Sequence, residues 1–353
     1  MITNKSPIRR GLRLTLLGFF FINLYFCSLY SSASQAAPEI DKFYEGRLIN
    51  LVVGFNPGGG YDVYARLLAR HMGRHIPGAP TVTVQNMPGA GSLKSVRFLN
   101  SSAGKDGTVI STFNPGLIVQ SIVAPEKVNT DFQKFAWLGS VSEDIRMCFT
   151  WQTRKWQNLK DLQSQKEMQF GGTSPGTLGY IEARIIKEYL KIPLRLIVGY
   201  PGSAEKRIAI ESGELEGDCG GWVNVPEEWI IGKKVKVIVR FSPSLIQGLD
   251  ISMPYAGDLI SGKLERSAFA LLMAPEEIGR PFIMSSEVPP MRLASMRDAF
   301  QKTMADTEFL ADAKRQRLTV TPMSAAQVDS RLMQVYKSQP EVVAEARRIS
   351  GED

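Results

Sequence analysis

The sequence predicts an α/β protein of two lobes with a helical C-terminal tail, and three observations lead there. Short β-rich apolar runs alternate with amphipathic stretches along most of the chain, as expected of sheets covered by helices. Two successive strand-to-helix turns, at 57–60 and 88–91, are rich in glycine. Beyond about residue 285 the pattern turns to helices alone.

The N-terminus is expected to be removed. Lys5, Arg9, Arg10 and Arg13 precede an apolar run at 16–29, and small and polar residues follow at 31–37; charge, apolar helix and small-residue exit make a secretory signal. The signal is residues 1–36, cut after Ala36, because a cut after Ala37 would put Pro38 first. Asn23 interrupts the run, which is short for a retained membrane span, and bulky Tyr25 and Phe26 argue against lipid attachment at Cys27. Removing 36 of 353 residues leaves 317, enough for two domains. It also takes away four cations and no acid, so the charge falls from +7 to +3. The basic residues are scattered, with Lys233, Lys234 and Lys236 the densest internal group, which reads as a solvated face rather than a nucleic-acid groove. Cys148 and Cys219 remain; they form a disulfide if the fold brings them within reach, or sit apart as buried thiols.

Strand 48–55, helix 62–75, strand 81–85 and helix 92–99 open the mature chain. Further strands are expected at 109–113, 136–141, 147–151, 168–171, 194–198 and 235–241, with helices at 178–190 and 204–212, the second stopped by Gly213. The tail divides into helices at 289–306, 307–317, 325–337 and 340–349, with Thr307 and Ser324 as caps. No internal repeat or low-complexity linker is present, so strands rather than a tether join the lobes.

The segment 51–66, LVVGFNPGGGYDVYAR, runs a strand through Pro57 and three glycines into a helix near Asp62. Free N–H groups at a helix start, exposed by glycine and backed by the helix dipole, favour an anion. Asn86-Met87-Pro88-Gly89-Ala90-Gly91-Ser92 makes a second such turn, and two of them at neighbouring strand ends face one crevice. Tight turning alone also uses these residues. Neither turn has the spacing of a Walker loop or a dinucleotide fingerprint. Asp62 reads as a helix cap and loop brace, because a bare carboxylate repels an anionic guest.

Enzyme chemistry finds little support. The only histidines, His71 and His75, stand four apart around Met72, Gly73 and Arg74, without the glutamate of a zinc helix or a third histidine, and are expected at a solvated helix end. There is no G-x-S-x-G elbow, and either cysteine would have only those histidines as a base. No catalytic residue, metal or cofactor is expected.

Gly54, Phe55, Pro57, Gly58, Gly59, an additional Gly60, Asp62, Ala65 and Arg66 resemble the G-F-x-P-G-G-x-x-D-x-x-A-R motif of the tripartite tricarboxylate transporter substrate-binding family, the TctC or Bug proteins. The likeness continues through 86–91, the Lys105-Asp106-Gly107-Thr108 turn and Gly172-Thr173-Ser174-Pro175-Gly176-Thr177, and more loosely through 199–202 and 213–216. It implies a periplasmic-binding-protein type II fold, with α/β lobes joined by crossover strands and closing over a small carboxylate. Lobe 1 is expected from 37–143 with 242–353, and lobe 2 from 144–241. The candidate ligand contacts are Phe55, Gly58, Gly59, Gly60, Asp62, Asn86, Gly89, Ala90, Gly91 and Asn114 on the first lobe, and Thr173, Ser174, Gly176, Thr177, Tyr200, Gly202, Gly221 and Trp222 on the second. Ser174 and Thr177 have capping as an alternative role, and Trp222 either stacks on a flat ligand or joins the core. Tyr180, where the family commonly has histidine, and the run Cys219-Gly220-Gly221-Trp222 depart from the pattern, so no particular acid is implied. The implied protein is a monomer in the periplasm. It hands its ligand to membrane transporter subunits or presents it to a sensor kinase; a secreted hydrolase or transferase is the remaining alternative.

Overall fold

A computed structural model describes residues 42–243 and 253–352; the expected signal segment lies outside the described residues. The β-rich runs assemble into two sheets. In the first, β1 (Leu48–Val53) pairs in parallel with β2 (Thr81–Asn86) and β3 (Val109–Thr112). The sheet is completed by β4 (Ala136–Ser140), β10 (Pro281–Met284) and β11 (Met323–Ser324), in the order β11-β4-β10-β3-β1-β2. The second contains β5 (Arg146–Trp151), β6 (Met168–Gly172), β7 (Leu194–Val198), β8 (Gly217–Gly221) and β9 (Val235–Arg240), in the order β7-β6-β8-β5-β9. The α/β reading, with two sheets and helices against them, holds.

Burial explains why β1 reads as a continuous apolar run. Ile49, Leu51 and Val53 pack in one cluster with Tyr64, Leu67 and Leu68 of α1 (Gly60–Met72), while Val52 joins the other face with Val96 and Leu99 of α2 (Leu93–Ser101). A strand covered on both faces loses the apolar-polar alternation that edge strand β2 keeps.

Several expectations need correcting. Helix α1 starts at Gly60 rather than near Asp62 and gives way to a 3₁₀ turn at Gly73–His75. Helix α3 (Gly116–Val123) went unanticipated because its nearly all-apolar sequence, GLIVQSIV, has no polar face to set a period. After α4 (Leu178–Glu188), α5 (Ser203–Glu211) and α6 (Lys263–Met273), the tail holds α7 (Pro290–Ala305), α8 (Thr307–Arg315), α9 (Ala325–Tyr336) and α10 (Pro340–Ser350). It is not purely helical, because β11 pairs antiparallel with β4. Asp306, not Thr307, caps α8, whereas Ser324 makes a full capping box with Gln327. The histidines are not at a solvated end: His71 Nε2 lies 2.9 Å from Asp312 Oδ2 and His75 Nε2 lies 2.7 Å from Asp306 Oδ2, tying α1 and the turn after it to α8.

The chain crosses between the sheets where 141–146 meets 240–242 and 276–280. Val141 N donates to Arg280 O, Arg280 N to Ser142 O, and Asp144 N to Glu276 O. Ser242 Oγ, which accepts from Arg146 N, donates to Asp144 O and Glu276 Oε2. Helix α10 lies against α6 and α4, with Arg184 Nε donating to Ile349 O and Tyr189 Oη to Glu345. Cys148 and Cys219 face each other in register on β5 and β8, 4.1 Å apart at Cα, and form a disulfide.

Candidate ligand-binding site

The turn from β1 into α1 is held from behind. The Asp62 carboxylate, only 2% exposed, accepts from Gly58 N, Arg66 Nε and Asn86 Nδ2, each at 2.9 Å. Asn86 Nδ2 also donates to Phe55 O at 2.8 Å. Burial alone would raise the Asp62 carboxyl, but bonds from Arg66, the Gly58 amide and Asn86 outweigh it and hold the group below its usual value. Asp62 is therefore a brace, and the helix cap is Gly59, which contributes no side-chain bond and leaves backbone N–H groups at the helix start.

Groups from the second sheet cover this turn. Gly60 N donates to Asn224 Oδ1 at 2.8 Å, Arg207 Nη2 to Gly58 O at 3.1 Å, and Asn56 Nδ2 to Glu205 Oε1 at 2.6 Å, with Gly202 alongside. A second seam joins the turn after β2 to the start of α4. Gly91 is left-handed (φ 59°), and a Cβ there would overlap Ser174 Oγ and Thr177 Cγ2. Asn114 Oδ1 accepts from Gly116 N at 2.9 Å and from Leu178 N at 3.3 Å, linking α3 to α4. Thr173 Oγ1 donates to Thr177 Oγ1, which donates to Ser174 O; Thr177 occupies the cap position of α4 without capping it.

Between the seams lies a cavity of about 40 Å³. At ~10–15 Å³ per water it has room for roughly three waters. The first-sheet side supplies Phe55, Gly59, Gly60, Tyr61 and Asn114, and the second supplies Thr173, Thr177, Tyr180, Lys206 and Asn224. Arg146 and Arg280, from the crossing segments, complete the wall.

Three cations on that wall are buried, with their counter-charges beside them. Arg146 sits between Glu182, which its Nε and Nη2 both bond, and Asp144 at 2.6 Å; the other Asp144 oxygen takes Arg280 Nη2 at 2.6 Å, and Lys206 Nζ lies 2.6 Å from Asp218. Burial pushes the Glu182 carboxyl up, against the pull of Arg146, to about 7. Burial also raises Asp218 in spite of Lys206, and lifts Glu276 well above its usual value with help from Glu182. Desolvation opposes the charged form of these carboxylates, while each of the three cations keeps a carboxylate beside it.

Of the residues singled out from sequence, Phe55, Gly59, Gly60, Asn114, Thr173 and Thr177 line the cavity, and Gly91 and Ser174 meet in the second seam without lining it. Gly58, Asp62 and Asn86 belong to the braced turn, and Gly89 and Ala90 lead into Gly91. Gly176 (φ 79°) lies under Gln120. Tyr200 bonds Glu214 and, with Trp222, packs on the cluster of Trp151 and Trp229, so the cavity lining includes neither aromatic. Gly221 makes room for Asp144 and Arg280. Sequence reasoning missed Tyr61, Arg146, Lys206, Asn224 and Arg280. One signal was available: Lys206 shares the buried face of α5 with Ala209 and Ile210, at spacings of three and four.

No family model matches the chain. Protein BugT of Bordetella pertussis is 35% identical over 115 residues, covering 31% of this chain and 35% of that protein. The UPF0065 protein in the gbd 5′ region of Cupriavidus necator is 33% identical over 100 residues, covering 28% and 29%. The chain thus matches about a third of the length of these curated relatives. Among solved structures, the periplasmic binding protein BugD superimposes with a TM-score of 0.70 at 20% identity, over 87% of this chain and 99% of that one. MatC of Rhodopseudomonas palustris with bound malate gives 0.67 at 16% identity over 84% and 99%. A TctC solute-binding protein from Polaromonas gives 0.57 at 18% identity over 88% and 100%.

Proposed function

We propose that this chain, which belongs to the TctC/Bug family of periplasmic solute-binding proteins, captures a small organic carboxylate between two lobes and delivers it to a tripartite tricarboxylate-type transporter. The reading rests on one observation. A cavity at the junction of two sheets joins the start of α1 to the Thr173–Thr177 hydroxyls and three buried cations.

The mechanism is a population shift. The cavity of about 40 Å³ is too small for most organic acids, so the lobes part to admit ligand and close on it. Contacts from both sides favour the closed state. The lobes divide near 143/144 and 241/242, and α10, held to α4 by Arg184 and Tyr189, spans the division. Secretion through the 1–36 signal puts a monomer in the periplasm, where no catalysis is asked of it. Presentation to a sensor kinase uses the same closure and is the second reading.

A melting screen of the chain from residue 37 onward tests the proposal, using small carboxylates with matched amides and esters. A ligand of the native state at a hundred times its Kd adds about 2.7 kcal/mol. One acid raising Tm by several degrees while its amide does not is the expected result; shifts with neutral solutes only would defeat the carboxylate reading.

A further inference from the structure

One buried carboxyl where the chain crosses between the sheets has no cation of its own. Glu276, in the turn Pro275–Ile278 after α6, is 4% exposed. Its Oε2 lies 2.9 Å from Ser242 Oγ, and its Oε1 has no hydrogen-bond partner among the described residues. Two guanidinium groups and two further buried carboxylates surround it. Asp144 gives one oxygen to Arg146 Nη1 and the other to Arg280 Nη2, and Glu182 accepts from Arg146 Nε and Nη2. Both cations are thus matched without Glu276. The other elements packed here supply no replacement: α3 carries no charged side chain, those of α6 lie in its first turn, and Tyr255 offers only a phenol that burial and Glu276 hold neutral. Glu277 next in the chain pairs with Arg331.

The hydrogen count points the same way. Ser242 Oγ accepts from Arg146 N at 3.1 Å and lies 3.2 Å from Asp144 O. While Glu276 is ionised, Ser242 must share its single hydrogen between Asp144 O and Oε2, and Oε1 is a buried, charged oxygen with no donor. A proton on Oε2 gives each contact its own hydrogen: Glu276 donates to Ser242, and Ser242 donates to Asp144 O. Burial and the neighbouring Glu182 favour that proton, lifting Glu276 well above its usual value against the pull of Arg146.

We propose that Glu276 keeps a proton in the closed protein and that lobe closure is thereby linked to pH, the lobes parting more readily as pH rises. This rests on the two-lobe closure and the lobe division proposed above. Glu276 and Arg280 fall on the first lobe, and Arg146 and Glu182 on the second, so opening separates the charges around Glu276 and admits water to it. Ionisation then costs less in the open form than in the closed one. The closed form holds the proton more tightly, so it is favoured at low pH and loses ground as pH rises.

Two measurements on the chain from residue 37 test this without a ligand. Infrared spectra at about pH 8 should show a protonated-carboxyl stretch that Glu276→Gln removes and Glu182→Gln leaves in place. Small-angle X-ray scattering from about pH 6 to about pH 9 should show the radius of gyration of wild type rising by about 5%, roughly 1 Å on a compact-chain value of about 20 Å, and that of Glu276→Gln staying level. The glutamine keeps the shape and offers an N–H to Ser242, so this variant is expected to melt no lower than wild type; a fall of several degrees would mark a broken buried ion pair and overturn the proton. Absence of the stretch from wild type overturns it as well. A wild-type radius that does not respond to pH, or a variant that responds equally, overturns the link to closure, while the ligand-binding reading stands or falls separately on its melting screen.

Discussion

Replacing both bridge cysteines, Cys148→Ala with Cys219→Ala, should destabilise the protein by at least about 4 kcal/mol. The bridge spans 71 residues, and the loop-closure relation, −2.1 − 1.5R ln n cal/mol/K, converts that span to about 4.4 kcal/mol at 25 °C. The cavities left by two sulfurs in a fully buried site add to the loss. At about 2.1 cal/mol/K per residue, each kcal/mol moves the Tm of a 317-residue chain by roughly 1.5 °C, so a fall of about 6 °C or more is expected. Substitution is preferable to reductant, because both sulfurs are sealed from solvent. The assay is calorimetric melting without ligand, paired with mass spectrometry of an unreduced digest. A Tm fall below about 2 °C, or two free thiols titrating in unreduced denatured protein, would show that the bridge does not hold β5 to β8.

Two further outcomes follow from the site. Glu182 is pushed up to about 7, so between about pH 4.5 and 7 the unfolded chain releases a proton that the folded protein keeps, and stability falls as pH rises through that window; Glu182→Gln should flatten the dependence of Tm on pH, and parallel curves for the two proteins would contradict the assignment. Gly91→Ala puts a methyl against Ser174 and Thr177 in a left-handed backbone, and should weaken ligand binding more than tenfold while lowering Tm by only a few degrees; unchanged affinity in calorimetry would mean that closure does not need this contact.

The fold was legible where local chemistry decides it. Glycine turns after β1 and β2 announce both strand ends and helix starts, and β7 falls on the residues expected of it. The site was legible only in its backbone part. Gly59, Gly60, Thr173 and Thr177 stand in recognisable turns, whereas Arg146 opens an apolar strand and Arg280 precedes one, with nothing nearby to single them out. Their meaning arises when two sheets distant in sequence meet, because burial and pairing of a cation are tertiary properties. Trp222 illustrates the converse: a large aromatic beside a glycine pair suggests a stacking platform, but neighbouring Trp151 and Trp229 offer it an apolar surface to pack on. Histidines four apart suggested solvent because their aspartate partners, Asp306 and Asp312, lie more than two hundred residues away.

The room left by Gly60 and Gly221 also constrains descent. A side chain at 60 would press on Val223 and the end of Arg280, and one at 221 on Asp144 and then Arg280, so relatives with bulk at either glycine should also differ at these neighbours. A lineage changing its ligand would have to make room at 223 for a side chain at 60, and at 144 for one at 221, as well as at 280. The additional glycine in the first motif is then the footprint of residues far along the chain, Val223 and Arg280 together.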